Sequence, residues 1–93
     1  MQITDVRIRL VAAEGIVRAM ASITLDSVFV VHELKVLEGQ EGLFVSMPNR
    51  YVGKGRFEDV AHPLNTETRM MIQNRVIEEY YKVVNLSEED VET

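Results

Sequence analysis

Apolar and polar residues alternate along the first third of the chain. In the first segment Val6, Ile8 and Leu10 occupy every second position, and charged residues lie between them. The same period of two recurs over residues 17–25, where Val17, Ala19, Ala21, Ile23 and Leu25 fall on one side. Because successive side chains of a strand point to opposite faces, both segments are predicted to be half-buried β-strands.

Short polar or glycine-containing turns separate these segments from two further predicted strands. Glu14-Gly15 marks the first turn, and Asp26-Ser27 is short enough to fold the second strand back as a hairpin. Residues 29–38 are rich in β-branched side chains and form the third predicted strand. Residues 39–42 then lead to a short apolar strand at 43–47. Four consecutive strands joined in this way predict an antiparallel meander.

The second half of the chain predicts a loop followed by a helix. Residues 48–56 contain two glycines and no sustained periodicity, which predicts an exposed, mobile loop, and residues 57–61 suggest a short edge strand. Asn65 or Thr66 can cap a helix that runs to about residue 83 or 84. Its core-facing stripe is spaced by four, four and three residues and comprises Ile72, Val76, Tyr80 and Val83.

One amphipathic helix on one sheet leaves the third strand with an uncovered face. Strict alternation places Val30, Leu34 and Val36 on one side and the apolar residues Phe29, Val31 and Leu37 on the other. A second copy of the chain is the economical cover, so Phe29, Val31 and Leu37 are predicted to form a dimer interface. The expected fold class is α+β: an antiparallel β-meander of four to five strands with one C-terminal amphipathic helix, in a dimer.

Composition sets the size and the compartment that we expect. The 93 residues make one domain, with no cysteine and a net charge of −5. Four of the fifteen acids lie in the last seven residues, so residues 1–86 are predicted to form a single domain and residues 87–93 an acidic, disordered tail. The chain shows neither a signal peptide nor an apolar stretch long enough to span a bilayer, so a cytoplasmic protein without membrane contact is expected.

Catalytic and metal-binding chemistry finds little support in the residue pattern. His32 and His62 are thirty positions apart, and no cysteine or carboxylate stands at a recognised metal-ligand spacing from them. The serines lack a nucleophile motif. Gly53-Lys54-Gly55 does not match a Walker loop. We therefore expect no enzyme activity, no metal and no cofactor.

A cluster of cations in the predicted loop is the most informative polar feature. Arg50, Lys54 and Arg56 lie within seven residues with Tyr51 among them, and Arg69 falls in the first turns of the helix that follows. Flexible cations can follow a phosphate backbone, a tyrosine can stack on a base, and a helix N-terminus offers amides to phosphate. The alternative is a solvated basic loop without a ligand.

Several stretches of the chain, in order, resemble the stage V sporulation protein G family, SpoVG, whose members are described as septation regulators. The stretches are Ile3-Thr4-Asp5-Val6-Arg7, Ser22-Ile23-Thr24-Leu25-Asp26, Phe29-Val30-Val31-His32-Glu33-Leu34-Lys35-Val36, Gly42-Leu43-Phe44-Val45 with Met47-Pro48, and Asp59-Val60-Ala61-His62-Pro63-Leu64-Asn65. The likeness covers about residues 2–82. It implies a small dimeric α+β protein that affects septation, sporulation and gene expression and that in some members binds DNA or RNA.

The resemblance also points to the residues that would bind nucleic acid. In the family the loop after Met-Pro carries two adjacent basic residues, whereas here only Arg50 is basic, Tyr51 follows it, and the other cations are Lys54 and Arg56. The start of the family's helix falls on Thr66 and the residues after it, and Arg69 matches a typical arginine.

The sequence therefore predicts a homodimer that regulates without catalysis by binding DNA or RNA. The residues predicted to bind are Arg50, Tyr51, Lys54, Arg56, Thr66 and Arg69. The alternative is a protein-interaction module that acts on cell-division or wall-synthesis machinery without touching nucleic acid.

Overall fold

A computed structural model describes residues 1–11 and 15–92, with side chains described through Leu86. Six strands precede one helix in the described part of the chain. The elements are β1 (Ile3–Leu10), β2 (Val17–Leu25), β3 (Phe29–Gly39), β4 (Gly42–Ser46), β5 (Asn49–Gly53), β6 (Arg56–Asp59) and α1 (Thr66–Glu92). The α+β class and the four-strand meander with a C-terminal helix are confirmed. Glu14, half of the first predicted turn, lies outside the described residues.

The first four strands form one antiparallel sheet in the order β1-β2-β3-β4. Cross-strand pairing places Val6 opposite Ile23 and Ile8 opposite Ala21, so the alternating apolar residues of β1 and β2 share the face that α1 covers. Leu34 and Val76 are fully buried between this face and the helix. The alternation in these strands thus arises because only one face of the sheet is buried.

A β-bulge in β3 overturns part of the predicted face assignment. Ala21 pairs with Leu34 while Ile23 pairs with Val31, so two residues of β3, His32 and Glu33, stand opposite one residue of β2. The extra residue reverses the alternation, and Val31 joins Leu34 on the core face. The prediction that Val31 and Leu37 share the opposite face is therefore wrong.

The same bulge also reverses the faces predicted for Phe29 and Val30. Val30 pairs with Thr24 and lies on the face away from the helix, whereas Phe29 pairs with Leu25, which packs on the core. The prediction that Val30 shares a face with Leu34 and Val36 is wrong for this reason. A register shift between Val17 and Ala19 pairs Val17 with Leu37, outside the core, so the prediction that Val17 shares the face of Ala19 is also wrong.

Residues 49–59 form a hairpin and not the predicted mobile loop. β5 and β6 pair antiparallel as a second, two-stranded sheet, with Arg50 opposite Glu58 and Tyr51 opposite Phe57. Within the described residues these two strands pack on each other and on no other strand or helix. The predicted edge strand at 57–61 begins one residue earlier, as β6. The chain thus carries a projecting arm, which is called the β5–β6 hairpin below.

The helix begins at a capped terminus and is longer than predicted. The Asn65 side chain accepts a hydrogen bond from the Thr68 N–H at 2.7 Å, which makes Asn65 the N-cap. Ile72 and Val76 are buried and Tyr80 packs against the core, as the stripe predicts. The helix continues past residue 84 to Glu92. Side chains beyond Leu86 lie outside the described residues, so the acidic, disordered tail at 87–93 stays a prediction.

One backbone amide at the free edge of β4 is bonded to a side chain of the helix. The backbone N–H of Val45 donates a hydrogen bond to Oε1 of Gln73 at 3.2 Å. Val45 is buried and Gln73 is half-buried, so this bond lies at the margin of the core. It fixes the edge strand to α1 by a polar contact as well as by packing.

Candidate nucleic-acid interface

The β5–β6 hairpin turns through two residues with left-handed backbone. Lys54 has φ of 54° and Gly55 has φ of 72°, between the paired residues Gly53 and Arg56. Positive φ at both central positions is the geometry of a type I′ turn, which matches the twist of the flanking strands. The turn places Lys54 at the tip of the arm, with its side chain exposed.

Two aromatic rings brace one face of the hairpin. Tyr51 and Phe57 are cross-strand partners whose ring centroids lie 5.4 Å apart at an interplanar angle of 67°, an edge-to-face contact. The Tyr51 hydroxyl accepts a hydrogen bond from the Gly55 N–H at 3.0 Å, which ties the ring to the turn. Tyr51 is nevertheless 60% exposed and Phe57 is 65% exposed. These are fixed aromatic surfaces that face solvent.

The three cations of the hairpin are exposed. Arg50, Lys54 and Arg56 make no ion pair with any residue that the structure describes. The acids of the hairpin are Glu58 and Asp59, so the arm carries three cations against two carboxylates in a chain whose net charge is −5. The arm is therefore locally basic in an acidic protein.

The start of α1 presents the other predicted binding residues. Thr66 and Arg69 are exposed, and the Arg69 N–H donates to the Asn65 carbonyl oxygen at 3.2 Å. With the Thr68 N–H already bonded to Asn65, the cap uses part of the set of amides that a helix N-terminus offers to an anion. Arg69 is the cation of this part of the surface.

The hairpin and the helix start are neighbours along the chain, but they do not pack on each other. The Val60 N–H donates to the Pro48 carbonyl oxygen at 2.7 Å and closes the base of the hairpin. Only six residues, 60–65, then separate β6 from α1. The structure thus brings Arg50, Tyr51, Lys54 and Arg56 together on one arm and leaves Thr66 and Arg69 on a separate element.

The three residues predicted for the dimer interface do not form one patch. Phe29 is 64% exposed at the end of β3, and Val31 is partly buried against the core. Leu37 pairs with Phe44 on the opposite face of the sheet. An interface at these residues stays a prediction, and it would have to involve two different surfaces.

Sequence reasoning missed Phe57 as part of the exposed site. The signal was available, because residues 49–59 place aromatic residues on both sides of Lys54-Gly55, a two-residue turn of the kind that joins hairpin strands. The two glycines favoured the interpretation as a loop instead.

The described residues bring together no three His, Asp or Glu side chains that could hold a metal ion. In the part of the chain that the structure describes, no helix is long and apolar enough to cross a membrane.

Comparison with known proteins gives a family match over most of the chain. The family model SpoVG matches residues 1–82. A SpoVG protein of Clostridium kluyveri, whose name associates it with septation, is 55% identical over 95 residues, covering 99% of each chain. A relative with the same name from Clostridium acetobutylicum is 54% identical, covering 100% of this chain and 98% of its own. One from Alkaliphilus oremlandii is 52% identical and covers 96% of both chains.

Proposed function

Because this chain belongs to the SpoVG family, whose members are named for septation, we propose that it is a regulator that binds DNA or RNA as a homodimer without a catalytic step. The β5–β6 hairpin would make the main contact and the start of α1 a second one. The observation that carries the proposal is the basic, aromatic arm. Its three cations are exposed and unpaired within the described residues, and its two rings face solvent.

The geometry of the arm suits a polyanion with accessible bases. Cations at the tip and on the strands can contact successive phosphates, and such contacts supply most of the sequence-independent affinity. Tyr51 and Phe57 offer ring surface on which an unpaired base can stack, which contributes about 1–3 kcal/mol per base in other proteins. Because the arm packs on no other described element, it can also enter a groove of the nucleic acid without deforming the four-stranded sheet.

A homodimer fits the size and the surface of the chain. A domain of this length gains much from covering apolar surface with a second copy. Phe29, Val60 and Leu64 are at least 64% exposed and lie outside the core. Two symmetry-related arms would then bind one nucleic acid together, and the combined affinity would exceed that of either arm.

The proposal is tested by titrating labelled DNA and RNA with the wild type and with the triple variant Arg50→Ala, Lys54→Ala, Arg56→Ala at two salt concentrations. We expect the variant to bind more weakly to most sequences and to show a shallower salt dependence. Each lost phosphate contact reduces the logarithmic slope by about 0.9 on duplex DNA. Lys82→Ala, which removes an exposed cation from α1, controls for loss of positive charge outside the arm and should leave binding unchanged.

A folded triple variant that binds as well as the wild type would contradict the proposal. The exposed rings and apolar side chains near the hairpin, Tyr51, Phe57, Val60 and Leu64, would then favour the protein-interaction module on division or wall-synthesis machinery.

A further inference from the structure

The face of the four-stranded sheet opposite α1 carries a row of side chains that crosses all four strands. Arg9 pairs with Met20, Met20 pairs with Lys35, and Lys35 pairs with Ser46. Cross-strand partners point to the same side of a sheet, so these four residues lie side by side. The row places one cation on an edge strand and a second cation two strands away, roughly 10 Å across the sheet.

The bulge in β3 opens a groove next to this row. His32 and Glu33 stand opposite Ser22, and Glu33 holds φ of 67°, in the left-handed region that side chains rarely adopt. Strained backbone of this kind persists where the surrounding structure enforces it and is frequent at binding sites. The groove has a volume of about 220 Å³, and its side chains include Arg7, Arg9, Met20, Ser22, His32 and Glu33. These six residues are called the outer groove.

The cations around the outer groove are available to an anion. Arg9 and Lys35 form no ion pair within residues 1–11 and 15–86, where side chains are described. Arg7 pairs with Asp5 at 3.0 Å, but the two side chains are 83% and 50% exposed. An ion pair that is this exposed to water contributes little stability, so Arg7 can readily exchange Asp5 for a phosphate. The charge of the row is therefore complementary to a nucleic-acid backbone.

The inner surface of the groove suits a base and not a second phosphate. Met20 supplies apolar surface, and the Ser22 hydroxyl can donate or accept a hydrogen bond. The Glu33 carboxylate only accepts, so it repels phosphate and favours an exocyclic amino group such as that of cytosine. A base reaches such a groove only when it is unpaired.

We propose that the outer groove and Lys35 form a second binding site, for single-stranded nucleic acid. One unpaired base that carries an amino group would occupy the groove, and its flanking phosphates would contact Arg9 and Lys35. The inference rests on the proposed function only for the class of ligand, because the β5–β6 hairpin contributes no residue to this site.

The test measures fluorescence anisotropy of labelled single-stranded homopolymers of deoxycytidine and deoxythymidine. We expect Arg9→Ala and Lys35→Ala each to weaken binding of both strands by roughly tenfold, the loss of one charge-assisted hydrogen bond. Glu33→Gln should reduce the preference for deoxycytidine over deoxythymidine. Lys82→Ala, on the helix, is the matched control for Lys35→Ala and should leave both affinities unchanged.

Two results would overturn the proposal and leave the function of the hairpin intact. One is unchanged binding by folded Arg9→Ala and Lys35→Ala while the hairpin triple variant loses binding. The other is a change of molar mass in light scattering for Arg9→Ala, which would identify this face as an interface between copies. Loss of binding in the outer-groove variants with an unaffected hairpin variant would support the outer groove and contradict the role of the hairpin.

Discussion

Glu33 shows how a single backbone conformation decides where its neighbours point. With φ of 67° it forms the bulge that turns Val31 toward the core. A left-handed conformation costs a side-chain-bearing residue about 1–2 kcal/mol, and glycine escapes this cost. The cost is borne at a position whose side chain is exposed, so the packing of the core does not depend on the glutamate itself.

Replacing Glu33 with glycine should therefore stabilise the protein relative to alanine. Glycine relieves the strain but loses more entropy on folding, so we expect Glu33→Gly to exceed Glu33→Ala in free energy of unfolding by about 0.5–1 kcal/mol. Urea denaturation of both variants measures the difference, and the alanine variant controls for loss of the carboxylate. Equal stabilities would show that the bulge relaxes when the side chain is shortened.

At the scale of elements, the stretches with unbroken alternation were predictable, and the places where a bulge interrupts the alternation were not. β1 from Val6 to Leu10 and β2 from Ala19 to Leu25 keep one period, so the core residues of these stretches follow from the sequence alone. Register shifts at Ile3/Asp5 and Val17/Ala19 break the period nearer the strand ends. In β3 the apolar residues occur on both parities, and only the pairing with β2 reveals where the parity changes. A bulge leaves no recognisable sequence signal when the residue with positive φ is a glutamate instead of a glycine.

Most residues of the candidate site were predictable from the sequence, but the hairpin that carries them was not. The cations and Tyr51 were identified from their spacing, but a glycine-containing segment was interpreted as a loop although Lys54-Gly55 closes a two-residue turn. The length of α1 was underestimated because Val83, Val84 and Leu86 continue an apolar pattern without a capping glycine. The separation of the hairpin from the helix start depends on packing, which no local pattern contains.

The isolated hairpin should open independently of the main sheet. Two-stranded hairpins without further packing are marginally stable in water. We expect the amide hydrogens of β5 and β6 to exchange by local opening at a free energy well below that of global unfolding. The buried amides of Ala21 and Leu34 in β2 and β3 should exchange only on global unfolding.

Native-state hydrogen exchange read by NMR distinguishes the two behaviours. Protection of the hairpin amides equal to that of Ala21 would contradict the prediction and would show that the arm opens only with the main sheet. Saturating nucleic acid should raise protection of the hairpin selectively if the arm is the binding element.

At the scale of the whole molecule, charge is unevenly divided along the chain. Without residues 87–93 the chain has ten basic and eleven acidic residues, against fifteen acids in all. Surface potentials act over roughly a Debye length, about 10 Å at 0.1 M salt and about 30 Å at 0.01 M. Position 88 lies roughly 29 Å from Arg69 along the axis of α1, so the acids at the end of the helix weaken the attraction for phosphate there only at low salt. The acidic end is thus expected to reduce affinity at low salt without taking part in folding.

Truncation after Leu86 should leave the fold and the oligomeric state unchanged. We expect light scattering to give twice the chain mass for both forms, and affinity for nucleic acid at low salt to rise a few-fold in the truncated form because repulsion is removed. The gain should vanish at high salt, which serves as the internal control. Loss of folding on truncation would show that residues 87–93 are structural, and a monomeric mass would contradict the proposed dimer.

The hydrogen bond from the Val45 N–H to Gln73 occupies a backbone donor at one edge of the sheet, where a strand of another chain could otherwise pair. An open strand edge can template the addition of further strands, which leads to aggregates and fibrils. With the Val45 amide of β4 bonded to α1, the longer open edge of the sheet is β1, and there Asp5, Arg7 and Arg9 interrupt the apolar residues with charge. These charged side chains, two of them arginines of the outer groove, are thus expected to oppose the addition of further strands. Apolar replacements at these positions should lower solubility, which a binding assay alone would not reveal.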